Sequence, residues 1–180
     1  LIPFPIISTL FERGAFSLID SINTSKALFI YSLGLPAFVF QKVFSTIYFS
    51  NGDTRSPFKF ALIGMITNLI LAISLSYVIG FLAPAVGTTL SGWLIALLLW
   101  KNSKKFNFYF DEKFKKVTIK LLLASFTFSI FLFYTYYFFS DLLTNLTTKH
   151  LSFIIIILMS CIFYFLICNL IGLKKSFLNR

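Results

Sequence analysis

Lys42 is the residue of this sequence best placed to do chemistry, because it lies beside Gln41 inside a long apolar stretch. A cation near the centre of a bilayer costs about 2.5–3.5 kcal/mol on insertion scales, so something must compensate it. Lys42 precedes Ser50 by roughly 12 Å of helix, and its stem can snorkel part of the way toward the headgroups. Alternatively, Lys42 and Gln41 point into a water-filled cavity, where Lys42 meets an anionic substrate or a carboxylate from a helix outside this sequence. The sequence leaves both interpretations open.

Gly34 and Pro36 lie in the same apolar stretch, eight and six residues before Lys42. A proline inside a helix removes one backbone hydrogen bond, and its ring clashes with the preceding turn. We therefore expect a kink or hinge at this point. Such prolines are common in membrane helices, where they often only shape the helix. A role for Gly34 and Pro36 in gating is the alternative hypothesis.

Two groups of charged residues flank apolar stretches. Asp53, Arg55 and Lys59 lie around Pro57 in a run of turn-forming residues, where Asp53 can cap the next helix or the three charges can form part of a gate. Glu12 and Arg13 are adjacent in sequence. They are either charges at headgroup level or a salt bridge that closes one face of the protein.

The chemistry of an enzyme is not supported by the sequence. His150 is the one histidine, and neither a second metal ligand at helical spacing nor a nucleophile paired with a base accompanies it. Cys161 and Cys168 are interpreted as small apolar fillers, and a glycine-rich phosphate loop is missing from the sequence. We therefore predict no catalytic residue, no metal and no cofactor.

The amino-acid composition indicates which secondary-structure elements position these residues. Of 180 residues, 58% are hydrophobic and 12% are charged, against roughly 45–50% and 25% in soluble domains. One soluble core cannot hide so much apolar surface, so the excess must face lipid. Runs of about 20 apolar residues without alternation predict helices rather than strands. The fold class is therefore all-α, a polytopic bundle of membrane helices.

Five complete transmembrane helices are predicted, together with the truncated end of a sixth at residues 1–11. The first residue is leucine, and the sequence is read as the carboxy-terminal part of a longer product. The predicted spans cover residues 27–49, 57–80, 82–100, 118–139 and 151–172. The connection between the second and third spans is so short that these helices should be antiparallel neighbours.

Orientation follows from the cations. Twelve Lys and Arg residues, at positions 55 and 59, between 101 and 120, and between 174 and 180, fall on one predicted side, whereas Arg13, Lys26 and Lys149 fall on the other. The positive-inside rule places the carboxy terminus and a basic loop at residues 101–117 in the cytoplasm. The net charge of +10 is then matched by anionic headgroups of membrane lipids, and no nucleic-acid partner is expected.

Aromatic residues crowd the fourth span between residues 121 and 139. Few small residues accompany them, although small residues are what tight contacts between membrane helices require. The aromatic side chains are either bulk facing lipid or the wall of an apolar groove for a long hydrocarbon chain.

Several motifs occur in a specific order over residues 1–101. They are LFERGAF at 10–16, YSLGLPAF at 31–38, QKVF at 41–44, DTRSPFK at 53–59 and the stretch from Gly87 to Trp93. Together they resemble the MurJ/MviN family of lipid II flippases, within the multidrug/oligosaccharidyl-lipid/polysaccharide exporter superfamily. Residues 102–180 match that family in hydropathy and position alone.

The resemblance implies a fourteen-helix, two-lobed protein of the bacterial inner membrane that moves the lipid-linked peptidoglycan precursor to the outer leaflet for cell-wall synthesis. Residues 1–180 would form its carboxy-terminal lobe, with the precursor, membrane lipids and other cell-wall synthesis proteins as partners. The resemblance further implies that residues 121–139 and 151–172 form a groove for the polyprenyl tail. It puts the residues that hold the headgroup on helices outside this sequence.

Two alternatives stay open. Another exporter of the same superfamily would carry a different polysaccharide lipid or a drug. A membrane scaffold without transport activity would instead recruit other wall-building proteins through the basic loop at 101–116.

Overall fold

A computed structural model describes residues 2–106, 111–139 and 149–172 of the chain. Within these ranges the chain is helical and contains no strand. The helices are α1 (Pro3–Phe11), α2 (Leu18–Ser50), α3 (Arg55–Ile79), α4 (Ala83–Ser103), α5 (Glu112–Phe138) and α6 (Lys149–Leu170). Short 3-10 turns at Gly80–Leu82 and Lys104–Phe106 follow α3 and α4. The all-helical class predicted from composition is confirmed.

Four stretches of the described chain are long and apolar enough to cross a membrane. They are Leu18–Ser50, Arg55–Phe106, Glu112–Phe138 and His150–Leu170. The second has 52 residues and contains both α3 and α4, because the 3-10 turn between them does not interrupt the helical run. Only 6–22% of the most apolar window of each stretch is buried. Apolar surface on this scale is compatible with lipid rather than water, so the chain is a multi-pass membrane protein.

The helices extend beyond the apolar limits read from the sequence. α2 begins at Leu18, nine residues before the predicted span at 27–49. Its start is a capping box, in which the Ser17 hydroxyl accepts from the Asp20 amide at 3.3 Å and the Asp20 carboxylate accepts from the Ser17 amide at 2.9 Å. Hydropathy marks the part of a helix that tolerates lipid, whereas capping marks where the helix begins.

The chain divides into two compact units. One consists of Ile22–Phe108, and the other of Leu1–Ser21 together with Tyr109–Arg180.

In the first unit, α3 and α4 form an antiparallel hairpin. Gly64 in the first half of α3 faces Ile95, and Gly87 near the start of α4 faces Asn68 and Ala72. The face of α4 that packs is made of small residues: Ala83, Ala85, Gly87, Thr89, Ser91, Gly92 and Ala96 are buried. Small side chains allow two backbones to approach closely, which is how membrane helices gain packing energy where lipid is as apolar as they are. The antiparallel arrangement predicted from the short connection is confirmed.

α2 packs against α4 in the same unit. The Thr89 hydroxyl donates to the carbonyl of Ile30 at 3.0 Å, and the Tyr48 hydroxyl donates to the carbonyl of Leu99 at 3.0 Å. The residue numbers of the contacting residues increase together along both helices. α2 and α4 therefore run in the same direction.

In the second unit, aromatic rings join α5 and α6. Phe131 stacks on Phe163 with ring centroids 3.8 Å apart, and Phe128 meets Tyr164 edge to face at 5.3 Å. Beside these rings lies an apolar cavity of about 330 Å³, whose lining includes Phe128, Leu132, Ile156, Ser160 and Tyr164. Ile2, just before α1, also lines it.

Candidate functional site

Gln41 and Lys42 point in different directions from α2. The Gln41 side-chain amide is half-buried and donates to the carbonyl of Gly92 on α4 at 2.7 Å. Lys42, one residue further along, is exposed, as expected for neighbouring positions about 100° apart on a helix. Gln41 therefore joins α2 to α4, and a ligand that both side chains share stays a prediction. That Lys42 binds an anionic ligand stays a prediction.

Gly34 allows α2 to approach α4. A methyl group added at Gly34 would lie 3.3 Å from the Thr89 hydroxyl and 3.3 Å from the Phe38 ring. Gly92 fits against Phe38 from the other side, since a methyl group there would lie 2.9 Å from the same ring. Gly34 thus favours close packing between the two helices, whatever further role it has in gating.

Pro36 lies inside α2, which continues from Leu18 to Ser50 through it. A proline at this position cannot donate to the carbonyl of Ser32, four residues earlier. Two side chains of α4 bind the carbonyls on either side of that gap: Thr89 donates to Ile30, and the Trp93 indole donates to Leu33 at 3.0 Å. α4 therefore supports α2 at the turn that the proline weakens.

Asp53 lies in the turn between α2 and α3 and accepts three hydrogen bonds. The Ser56 amide donates at 3.0 Å and the Ser56 hydroxyl at 2.7 Å, which caps the start of α3. The third donor is the Lys105 ammonium at 2.6 Å. The hydrogen bond from Lys105, followed by those from Ser56, holds the pKa of the Asp53 carboxyl well below its usual value. The predicted cap is observed, and Arg55 beside it begins α3 with an exposed side chain.

Lys105 and Tyr48 belong to this cluster, although sequence reasoning did not single them out. The Lys105 ammonium lies 5.2 Å from the Tyr48 ring centroid and 4.7 Å from that of Phe106, within the range of cation–π attraction. Tyr48 is fully buried and donates to α4 as described above. A tyrosine at the end of an apolar run was the available signal, because tyrosines concentrate at membrane interfaces.

Glu12 and Arg13 follow α1 in the other unit. Glu12 accepts from the Ser21 hydroxyl at 3.1 Å, and the Arg13 guanidinium donates to the carbonyl of Leu10 at 2.7 Å. Arg13 thereby satisfies one of the carbonyls that the end of α1 leaves unpaired. A role of this pair in closing one face of the protein stays a prediction.

The aromatic residues of α5 fall into two groups, and the groove for a hydrocarbon chain stays a prediction. Phe128 and Phe131 pack on α6, whereas Phe126, Phe133 and Tyr137 are exposed. Residues 140–148, between the two helices in sequence, and residues 173–180, with the terminal cations, lie outside the described residues.

Comparison with known proteins adds to these observations. The family model "Lipid II flippase MurJ" matches residues 3–159. The probable lipid II flippase MurJ of Rickettsia prowazekii is 32% identical over 125 residues, which cover 69% of this chain and 25% of that protein. The lipid II flippase MurJ of Thermosipho africanus is 31% identical over 166 residues, which cover 92% of this chain and 32% of that protein.

A solved structure is also similar. A lipid II flippase MurJ in an inward closed conformation matches with a TM-score of 0.67 and 29% identity, over 97% of this chain and 34% of that one. The chain therefore spans about a quarter to a third of the length of these relatives.

Proposed function

Because this chain belongs to the MurJ family of lipid II flippases, we propose that it acts as the carboxy-terminal lobe of a protein that moves lipid II from the inner to the outer leaflet of the bacterial inner membrane. The observation that carries the proposal is the similarity of nearly the whole chain, in both sequence and fold, to MurJ proteins. The lobe supplies the precursor for cell-wall synthesis by transport and not by catalysis.

The polyprenyl tail of the precursor is assigned to the unit that contains α5 and α6. Its apolar cavity of about 330 Å³ and the exposed aromatic residues of α5 support this assignment. A hydrocarbon chain brings no polar group of its own that would lose hydrogen bonds on entering such a cavity.

The unit that contains α2, α3 and α4 is assigned to the conformational change. Transporters of this kind move largely by rocking rigid blocks around a central site. The hydrogen bonds from Gln41, Thr89, Trp93 and Tyr48 between α2 and α4 favour movement of these helices as one block. Gly34, Pro36, Glu12, Arg13, Asp53 and Arg55 are the proposed gating residues.

The proposed topology has five complete spans, the end of a sixth, and a cytoplasmic carboxy terminus. The excess of twelve cations over three supports this orientation, and α3 and α4 count as two spans because they form a hairpin. Lys42 then lies in the cytoplasmic half of α2, where an exposed ammonium can meet the anionic headgroup.

The function is tested by complementation. The gene product that contains this chain is expressed in cells depleted of their own lipid II flippase, and lipid II reaching the outer leaflet is measured by its accessibility to an external label. Growth and labelling are expected to be restored. Growth without any appearance of labelled lipid II would instead favour a scaffold, and failure of both would reject the proposal.

A substitution at Lys42 tests transport without affecting folding. Lys42→Ala should reduce the appearance of lipid II outside at least several-fold while leaving the melting temperature unchanged, because the side chain is exposed. Lys26→Ala, an exposed cation on the same helix, is the matched control and should transport normally. Equal transport by the two variants would remove Lys42 from the site.

A further inference from the structure

A second cavity lies at the carboxy-terminal end of α4. It measures about 310 Å³ and is lined by Leu97, Trp100, Lys101 and Lys104. The transport proposal assigns these residues no role in substrate binding or gating.

The four lining residues form one stripe that runs along the end of α4 and into the 3-10 turn after it. Their spacing of three, four and seven positions places them on a single helix face, while Ala96, Leu99 and Ser103 on the opposite face are buried. From Leu97 to Lys104 the stripe extends roughly 10 Å along the axis. It is apolar at the end nearer the middle of the helix, aromatic at Trp100, and cationic at the end of the helix.

The two lysines of this stripe have no counter-charge within their unit. Between residues 22 and 108 the one acidic residue in the sequence is Asp53, and its carboxylate is bound by Lys105 and Ser56. Lys101 and Lys104 are exposed. An anion that compensates them must come from outside this unit.

The surroundings of the lysines indicate what kind of anion this is. Leu97 and Trp100 are each about half exposed, at 53% and 50%, and tryptophan is typical of the boundary between hydrocarbon and headgroups. A small soluble anion would make no use of this apolar wall. A molecule with a phosphate at one end and an acyl chain at the other would contact all four residues.

We propose that this stripe is a binding site for an anionic phospholipid, whose phosphate lies between Lys101 and Lys104 and whose acyl chain lies along Leu97 and Trp100. The site requires only that the end of α4 reaches the membrane surface, so it is independent of lipid II transport and of which leaflet is involved. A zwitterionic lipid carries its own cation and is bound more weakly.

The test is native mass spectrometry of the purified full chain in mixtures of phosphatidylglycerol and phosphatidylcholine. The wild type should retain phosphatidylglycerol preferentially. Each lysine near an anionic headgroup is worth about a factor of five, so Lys101→Gln with Lys104→Gln should weaken this binding about 25-fold. Trp100→Ala should shorten the retention of either lipid.

The matched control removes the same charge elsewhere. Lys59→Gln with Lys116→Gln changes two other exposed cations and should leave the preference for phosphatidylglycerol intact. An equal loss in this control would show that net charge, not a site, attracts the lipid. Equal retention of the two lipids by the wild type, or displacement of phosphatidylglycerol by millimolar inorganic phosphate, would also overturn the proposal.

Discussion

At the scale of single residues, Asp53 joins the start of α3 to the end of α4 through its bonds to Ser56 and Lys105. Because its pKa is lowered in the folded protein, its contribution to stability is present above the unfolded value of about 4 and is lost as the pH falls through the folded value. Asp53→Asn should therefore lower the melting temperature at pH 7. The difference from wild type should shrink progressively below pH 4, as followed by thermal unfolding in detergent.

Asp111 provides the control for this prediction. It also precedes a helix, α5, but its side chain makes no capping hydrogen bond. Asp111→Asn should leave the melting temperature at pH 7 unchanged. If both variants melted alike at pH 7, the capping and ion-pair role of Asp53 would be refuted.

At the scale of helices, the hairpin of α3 and α4 depends on close backbone contact at Gly87. A methyl group at Gly87 would lie 3.2 Å from the carbonyl oxygen of Asn68 and 3.3 Å from the amide nitrogen of Ala72. Backbone atoms cannot rotate away as a side chain can, so Gly87→Leu must separate the helices. We expect a loss of about 1–3 kcal/mol or more in the free energy of unfolding, typical of overpacking, measured by denaturation in detergent.

Ala61 on α3 is the control for the added volume, because its side chain is exposed. Ala61→Leu should change the free energy of unfolding by less than about 0.5 kcal/mol. A Gly87→Leu variant as stable as Ala61→Leu would mean that the two backbones do not depend on this contact.

At the scale of the whole molecule, the predicted topology fixes which turns face the cytoplasm. In a background with Cys161→Ala and Cys168→Ala, Asn51→Cys should react with a membrane-impermeant maleimide only after the cells are opened. Phe81→Cys, in the exposed turn between α3 and α4, should react on intact cells. Leu69→Cys, exposed in the middle of α3, should stay unlabelled because lipid covers it.

The labelling also decides the number of spans. Reaction of Asn51→Cys and Phe81→Cys from opposite faces means that α3 crosses the membrane and counts separately from α4. Labelling of both from one face would contradict five spans and the orientation derived from the cations.

Much of the fold follows from features that act locally along the chain. Apolar length requires helices, because in lipid each backbone group must find its partner within its own segment. The antiparallel α3 and α4 follow from a connection too short for any other path, and the cap at Asp53 follows from its position three residues before Ser56. These interactions join residues that are close in sequence, so they can be predicted from the sequence alone.

Contacts between distant segments could not be read in the same way. Gln41 and Lys42 are both polar residues in an apolar run, yet Gln41 binds Gly92 and Lys42 is exposed. Lys105 was one of many cations on its predicted side, yet it is the one that pairs with Asp53, 52 positions away. The pattern of residues determines which helices form and which faces are apolar, but not which face meets which helix. That choice depends on how small residues such as Gly87 and Gly92 fit against a particular neighbour, because close packing is a property of two surfaces together.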